Sequence, residues 1–77
     1  MKYEMPKKIY HYAVEAEYFE PKKHKVPLKT PIVFEVPTLK ELNRRIDETY
    51  DSMQVMITRI RLATEEEIKL YKQGHYD

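Results

Sequence analysis

The chain has 77 residues, a net charge of +1 and no cysteine. This length allows one small domain, and the lack of cysteine excludes disulfides and thiolate zinc sites. Because the net charge is close to zero, the chain as a whole has no strong electrostatic attraction to nucleic acid or to an anionic membrane. No apolar stretch approaches the ~20 residues of a membrane span. We therefore expect a cytoplasmic protein of one domain, residues 1–77, with no cofactor and no membrane association.

The first predicted element is a long, half-buried strand within residues 8–20. Apolar and aromatic side chains occupy every second position there, which is the period of a strand with one buried face: Tyr10, Tyr12, Val14, Ala16 and Tyr18. Residues 1–7 before it are predicted to be a flexible N-terminus. Residues 21–31 after it combine lysines with prolines, and proline removes ladder donors, so this segment is predicted to be a basic loop.

Ile32–Val36 is predicted to be a second strand, which Pro37 closes. The next four residues, Thr38 to Glu41, form a Thr-x-x-Glu capping box. In such a box the Thr hydroxyl accepts from a backbone N–H of the first helical turn, and the Glu reaches back to the Thr N–H. A helix is therefore predicted from Thr38 to about Asp51, with a buried stripe at helical spacing: Leu39, Leu42, Ile46, Tyr50 and Met53.

The third predicted strand covers residues 54–62, where Met56, Thr58, Ile60 and Leu62 alternate with Val55, Ile57, Arg59 and Arg61. A second Thr-x-x-Glu box, Thr64 to Glu67, predicts the start of a short helix. Gly74, the only glycine, lies where a left-handed helix C-cap needs one. Residues 75–77 are predicted to be a C-terminal tail.

These elements predict an α+β fold with ββαβα topology. The first strand is the longest, so we place it centrally in a three-stranded mixed sheet of order 2-1-3. Both helices are expected on one face of the sheet, the face that carries Tyr12, Val14, Phe34 and Ile60, which makes a two-layer sandwich. The element order resembles a ferredoxin-like βαββαβ unit without its first strand and helix, a topological likeness that implies no function.

The uncovered face of this predicted sheet is our first candidate site. A small chain with a marginal core gains by burying such a face, and apolar surface rimmed by charge marks interaction sites. The residues assigned to the surface are Ile9, Ala13, Val33, Val55, Ile57, Arg59 and Arg61. We therefore predict a non-catalytic interaction module that forms a homo-oligomer, most simply a homodimer through this face or through an exposed edge strand, and whose open face could also bind an unidentified protein partner.

The alternative function is nucleic-acid binding by the basic loop. Its candidate contacts to phosphates are Lys22, Lys23, His24, Lys25 and Lys29. The near-zero net charge and the lack of arginine in the loop make this the weaker prediction.

Catalysis is not predicted. A cluster of Glu15, Glu17, Glu35 and His11 on the uncovered face could raise carboxyl pKa values or hold a metal ion, but an open sheet offers no cleft for such a site. A chain with one glycine cannot form a glycine-rich phosphate loop. The lysine-, glutamate- and tyrosine-rich composition is similar to that of small accessory proteins of bacteria and their phages.

Overall fold

The structure, a computed structural model, describes residues 8–76. The predicted flexible segment 1–7 and the last residue of the predicted tail lie outside these residues. The elements in chain order are β1 (Tyr10–Tyr18), a 3-10 turn (Pro21–Lys23), β2 (Ile32–Val36), α1 (Leu39–Thr49), β3 (Val55–Leu62) and α2 (Glu65–Lys72). The predicted α+β class and ββαβα order are confirmed.

The three strands form one sheet in the order β2-β1-β3, as predicted. Both pairs are antiparallel, so the prediction of a mixed sheet is wrong. β2 and β3 run in the same direction, but they do not pair with each other because β1 lies between them. Both β2 and β3 are therefore edge strands.

The two faces of the sheet are named here after central residues of β1. The Val14 face carries the even-numbered residues of β1, and α1 covers it. Leu42, Ile46 and Tyr50 of α1 belong to one buried cluster with Val14, Phe34 and other residues of this face. Leu39 and Met53, which were predicted to extend the buried stripe of α1, are exposed because they lie beyond the turns that contact the sheet.

A β-bulge in β3 changes which of its residues face the core. Glu15 lies opposite Arg59, but Ala16 lies opposite Ile57, so Thr58 is an extra residue in β3. Because side chains alternate between faces, one extra residue moves all the preceding side chains of β3 to the other face. Val55 and Ile57 consequently pack with the α1 core instead of facing away from it.

α2 lies on the opposite face, the Ala13 face, which carries the odd-numbered residues of β1. The ring of Tyr71 in α2 contacts His11 with centroids 5.5 Å apart. Glu67 in α2 accepts from two nitrogens of Arg61, at 2.6 and 2.9 Å. The prediction that both helices cover one face is therefore wrong, and the sheet lies between the two helices.

The helix ends follow the predicted capping chemistry closely, with one difference. Thr64 and Glu67 form the complete box, with reciprocal bonds of 3.1 and 2.9 Å. At α1 the Thr38 hydroxyl accepts from the Glu41 N–H at 3.1 Å, but the Glu41 carboxylate pairs with Arg44 instead of reaching back. Gly74 has φ 80°, a left-handed conformation that glycine adopts without strain, just after α2.

Candidate interaction surface

The predicted interaction surface is not formed as one exposed patch. Ala13 and Val33 lie on the predicted face but are only 0% and 2% exposed, because α2 occupies that face. Val55 and Ile57 are on the other face, where the bulge places them in contact with the α1 core.

The remaining predicted surface residues are dispersed. Ile9 is exposed but precedes β1, and Arg59 is exposed on β3. Arg61 is held in ion pairs with Glu15 and Glu67. The error has two physical causes: strict alternation was assumed along a strand that contains a bulge, and α2 covers the face that was predicted to be open.

The backbone of β1 shows which hydrogen-bonding groups of the sheet are used. The carbonyl of His11 accepts from the N–H of Ala63 at 2.9 Å, and the N–H of Phe19 donates to the carbonyl of Gln54 at 2.9 Å. In an antiparallel pair, the residues that bond across to the partner alternate with those that point away from it. Odd-numbered residues of β1 therefore direct their N–H and C=O groups toward β3.

The same alternation identifies the unpaired groups of β3. Arg59 and Arg61 lie opposite odd-numbered residues of β1, so their backbone groups point inward to the ladder. Ile60 and Leu62 therefore direct their N–H and C=O groups outward, away from the sheet. No described strand lies beyond this edge, which leaves these groups available for pairing with another strand.

The edge at β2 is different, because proline occupies its outward positions. β2 has five residues, and Val33 and Glu35 are the two whose backbone groups point away from β1. Pro31 and Pro37 continue this outward series immediately before and after the strand, and neither has an N–H. Prolines at an edge discourage the addition of another strand. The edge of β3 has eight residues and no proline.

The side chains beside the open edge are apolar on one face. Ile60 is 42% exposed and Leu62 is 63% exposed, and both are on the Val14 face. α1 packs against the end of β3 that carries Val55 and Ile57, and it leaves Ile60 and Leu62 exposed toward the other end of the strand. We call the outer edge of β3 at Ile60 and Leu62, with these two side chains and Arg59, the β3 surface.

Arg61 lies between Ile60 and Leu62 in β3, and two carboxylates bind its side chain on the Ala13 face. Its Nε donates to Glu15 at 3.1 Å, and its two terminal nitrogens bind Glu67. The bonds from Arg61, assisted by the Thr64 N–H, lower the pKa of Glu67 to about 2, against the opposing effect of partial burial. The paired carboxylates likewise raise the pKa of the Arg61 guanidinium.

The predicted cluster of carboxylates and histidine is divided between separate partners. His11 Nε2 lies 2.9 Å from a carboxylate oxygen of Glu35, whereas Glu15 binds Arg61 and Glu17 is exposed opposite Met56. Within residues 8–76, no group of three or more histidine, aspartate or glutamate side chains is arranged to hold a metal ion.

The basic loop is partly ordered by an aromatic stack. The imidazole of His24 lies parallel to the ring of Tyr18, with centroids 3.6 Å apart and planes 6° apart. Lys22, Lys25 and Lys29 are exposed, as is Lys23, which pairs with Glu20 at 2.9 Å. The neighbouring Phe19 is 55% exposed and lines a shallow depression with Lys23 and His24. His24 therefore has a packing role that its place in a run of lysines did not predict.

Sequence reasoning did not identify Ile60 and Leu62 as surface residues, because it placed them under the helices. One available signal was the pair of prolines that flank Ile32–Val36, which indicates a protected edge and so directs attention to the other edge strand. Nothing in the sequence indicated the bulge, since Thr58 is a β-branched residue that suits a regular strand.

Comparison with known proteins does not indicate a function, so the functional argument rests on the β3 surface. No protein-family model matches the chain, and no significant match was found among curated proteins or solved structures. Neither of the described helices has the length and apolar character needed to cross a membrane.

Proposed function

We propose that this protein is a non-catalytic interaction module that self-associates through the β3 surface. The observation that carries the proposal is the open edge of β3, where the backbone groups of Ile60 and Leu62 point outward beside their exposed apolar side chains. Unpaired edges of this kind are templates for pairing with another chain.

A second copy of the chain is the partner that this edge fits. A strand that pairs antiparallel with its own copy makes a two-fold contact in which every group meets its equivalent, so one surface serves both chains. Because prolines obstruct the β2 edge, association through β3 ends at a dimer and does not continue into a fibre. The dimer would also bury apolar surface that a domain of this size needs for stability.

The polar side chains support an interaction role over catalysis. The groups that could have formed an acid–base site bind one another instead: Glu15 with Arg61, and His11 with Glu35. These two pairs join β1 to its neighbouring strands, and Arg61 also joins β3 to α2 through Glu67, so these polar groups have a structural use.

The proposal is tested by sedimentation velocity over a concentration series from low to high micromolar. We expect the wild-type chain to shift from monomer to dimer, and Leu62→Lys to remain monomeric because it introduces a charge at the paired edge. Met53→Lys is the matched control: it also replaces an exposed apolar residue with lysine, but outside the β3 surface. A wild-type chain that remains monomeric throughout would refute the proposal.

The second candidate function is binding of single-stranded nucleic acid by the basic loop, and the exposed ring of Phe19 is the observation that favours it. Unpaired bases stack on exposed aromatic rings, and lysines beside the ring contact the phosphates. Lys22 and Lys25 are exposed in this loop.

Fluorescence anisotropy with a labelled single-stranded oligonucleotide at low salt tests this second function. We expect Phe19→Ala to weaken binding by about 1–3 kcal/mol, the usual value of one base stack. Lys22→Gln with Lys25→Gln should also weaken binding and reduce its salt dependence. Lys72→Gln, on α2, is the control for loss of positive charge. Absence of binding to any oligonucleotide at low salt would eliminate this candidate.

A further inference from the structure

The geometry of the β3 edge also points to one particular way of pairing, an inference that rests on the proposed self-association. We infer that two copies pair through antiparallel β3 strands about a two-fold axis at Arg61. Ile60 of each copy then lies opposite Leu62 of the other, and the two sheets join into one of six strands.

The outward backbone groups select this register from its neighbours. With the axis at Arg61, Ile60 and Leu62 form two hydrogen-bonded pairs, which share four N–H to C=O bonds. An axis at Ile60 would place Leu62 opposite Thr58, the extra residue of the bulge, where the ladder is disrupted. An axis at Leu62 would place Ile60 opposite Thr64, whose N–H already donates to Glu67 at 2.9 Å.

The side chains are compatible with the same register on both faces. On the Val14 face, Ile60 and Leu62 of the two copies cover one another's exposed surface. On the Ala13 face the two Arg61 residues approach each other, but each is bound by Glu15 and Glu67 of its own chain. Each such group of three carries a net charge of −1 and does not present an unpaired arginine to the other.

Charge complementarity favours a second copy of this chain at the same place. Arg59 is exposed and makes no ion pair among the described residues, and the same is true of Glu65 and Glu66 in the first turn of α2. In the inferred register Arg59 lies opposite Ala63 of the second copy. Glu65 and Glu66 follow Ala63 within three residues, so they lie within reach of the arginine side chain. Because the inferred dimer is two-fold symmetric, this contact occurs twice in it.

Cysteine cross-linking tests the register directly, because the chain has no cysteine of its own. Two single variants, Ile60→Cys and Leu62→Cys, are given tags of different mass, mixed at a dimer-forming concentration and oxidised mildly. Opposed residues of a hydrogen-bonded pair have Cα atoms about 5.5 Å apart, which a disulfide can span, whereas diagonal neighbours at about 7–8 Å are too distant. We expect the mixed disulfide to form in large excess over either self-linked product. Met53→Cys reports the rate of random collision.

The possible outcomes separate the register from the self-association. Self-linking of Ile60→Cys or of Leu62→Cys as the main product would place the axis at that residue and overturn the register, while the dimer itself stands. Linking no faster than that of Met53→Cys, in a chain that sediments as a dimer, would show that β3 is not the interface. A monomer at every concentration would refute the proposed function together with this inference.

A charge-reversal pair provides an independent measurement. Arg59→Glu should weaken the dimer by about tenfold, since it replaces two attractive contacts at the edge of the interface with repulsive ones. Adding Glu65→Arg and Glu66→Arg to this variant should recover most of the loss. Failure of this recovery, with the monomers still folded by circular dichroism, would overturn the assigned contact.

Discussion

Tyr50 at the end of α1 provides a quantitative test of the core. Its side chain is buried in the cluster beneath α1, with 7% of the residue exposed. Its hydroxyl oxygen has no hydrogen-bond partner among the described residues. A buried polar group without a partner costs about 1–3 kcal/mol of desolvation, which phenylalanine of nearly the same shape avoids. We therefore expect Tyr50→Phe to raise the free energy of unfolding by about 1 kcal/mol.

Thermal and urea unfolding measure this change. For a domain of this size, 1 kcal/mol corresponds to a rise in Tm of about 4–8 °C. Tyr10→Phe is the matched control, because Tyr10 is partly exposed and its hydroxyl is not in the core, so its effect should stay within about 0.5 kcal/mol. A Tyr50→Phe variant that is less stable than wild type by 1 kcal/mol would refute the reasoning, since the hydroxyl must then make a favourable bond.

The same residue predicts a change at alkaline pH. Burial raises the pKa of the Tyr50 phenol above its ordinary value of 10.0, because the folded protein disfavours the phenolate. The unfolded chain ionises at the ordinary value, so the resulting stability is complete below pH 10 and is lost as the pH rises through the folded pKa. Tyr50→Phe should therefore lose less stability than wild type above pH 10. If the two proteins lose equal stability above pH 10, the effect does not come from the Tyr50 phenol.

Two further predictions concern the Arg61 group and the bulge. Glu67→Gln should lower the free energy of unfolding by about 1–2 kcal/mol at neutral pH, because it removes the charge that binds Arg61. The pKa of Glu67 is lowered from 4.5 to about 2, so the stability that its carboxylate contributes is lost as the pH falls from 4.5 to 2. Over this range the difference between the unfolding free energies of the variant and the wild type, measured in urea, should therefore shrink. A difference that stays constant with pH would contradict the role assigned to Glu67. Deletion of Thr58 should lower the free energy of unfolding by at least ~2 kcal/mol. Without the extra residue, Val55 and Ile57 cannot face the core while β3 keeps its pairing with β1. Thr58→Ala, which keeps the bulge, should remain near wild type by the same measurement.

The local elements were predictable because their causes lie within a few residues of one another. The capping box from Thr64 to Glu67 and the left-handed Gly74 are examples, and both are present as predicted. The helix predicted from Thr38 to about Asp51 is observed as Leu39–Thr49. Each of these depends on hydrogen bonds between neighbours in the sequence, so the residue types alone indicate them.

The candidate site was less predictable because it depends on pairing between distant segments. The extra residue at Thr58 becomes visible only when Ala16 is seen opposite Ile57, and that register places Val55 in the core. The face taken by α2 likewise depends on contacts of Glu67 and Tyr71 with β3 and β1. The predicted open face was consequently assigned to residues that are covered.

The sequence was sufficient for the class of fold, the kinds of element and their ends, because short-range capping, proline chemistry and side-chain periodicity act within single segments. The tertiary structure alone assigned the two helices to opposite faces and left the edge of β3 without a neighbouring strand among the described residues. The physical reason is that strand register and helix placement are set by packing between residues far apart in the chain, where a shift of one residue exchanges the buried and exposed sides.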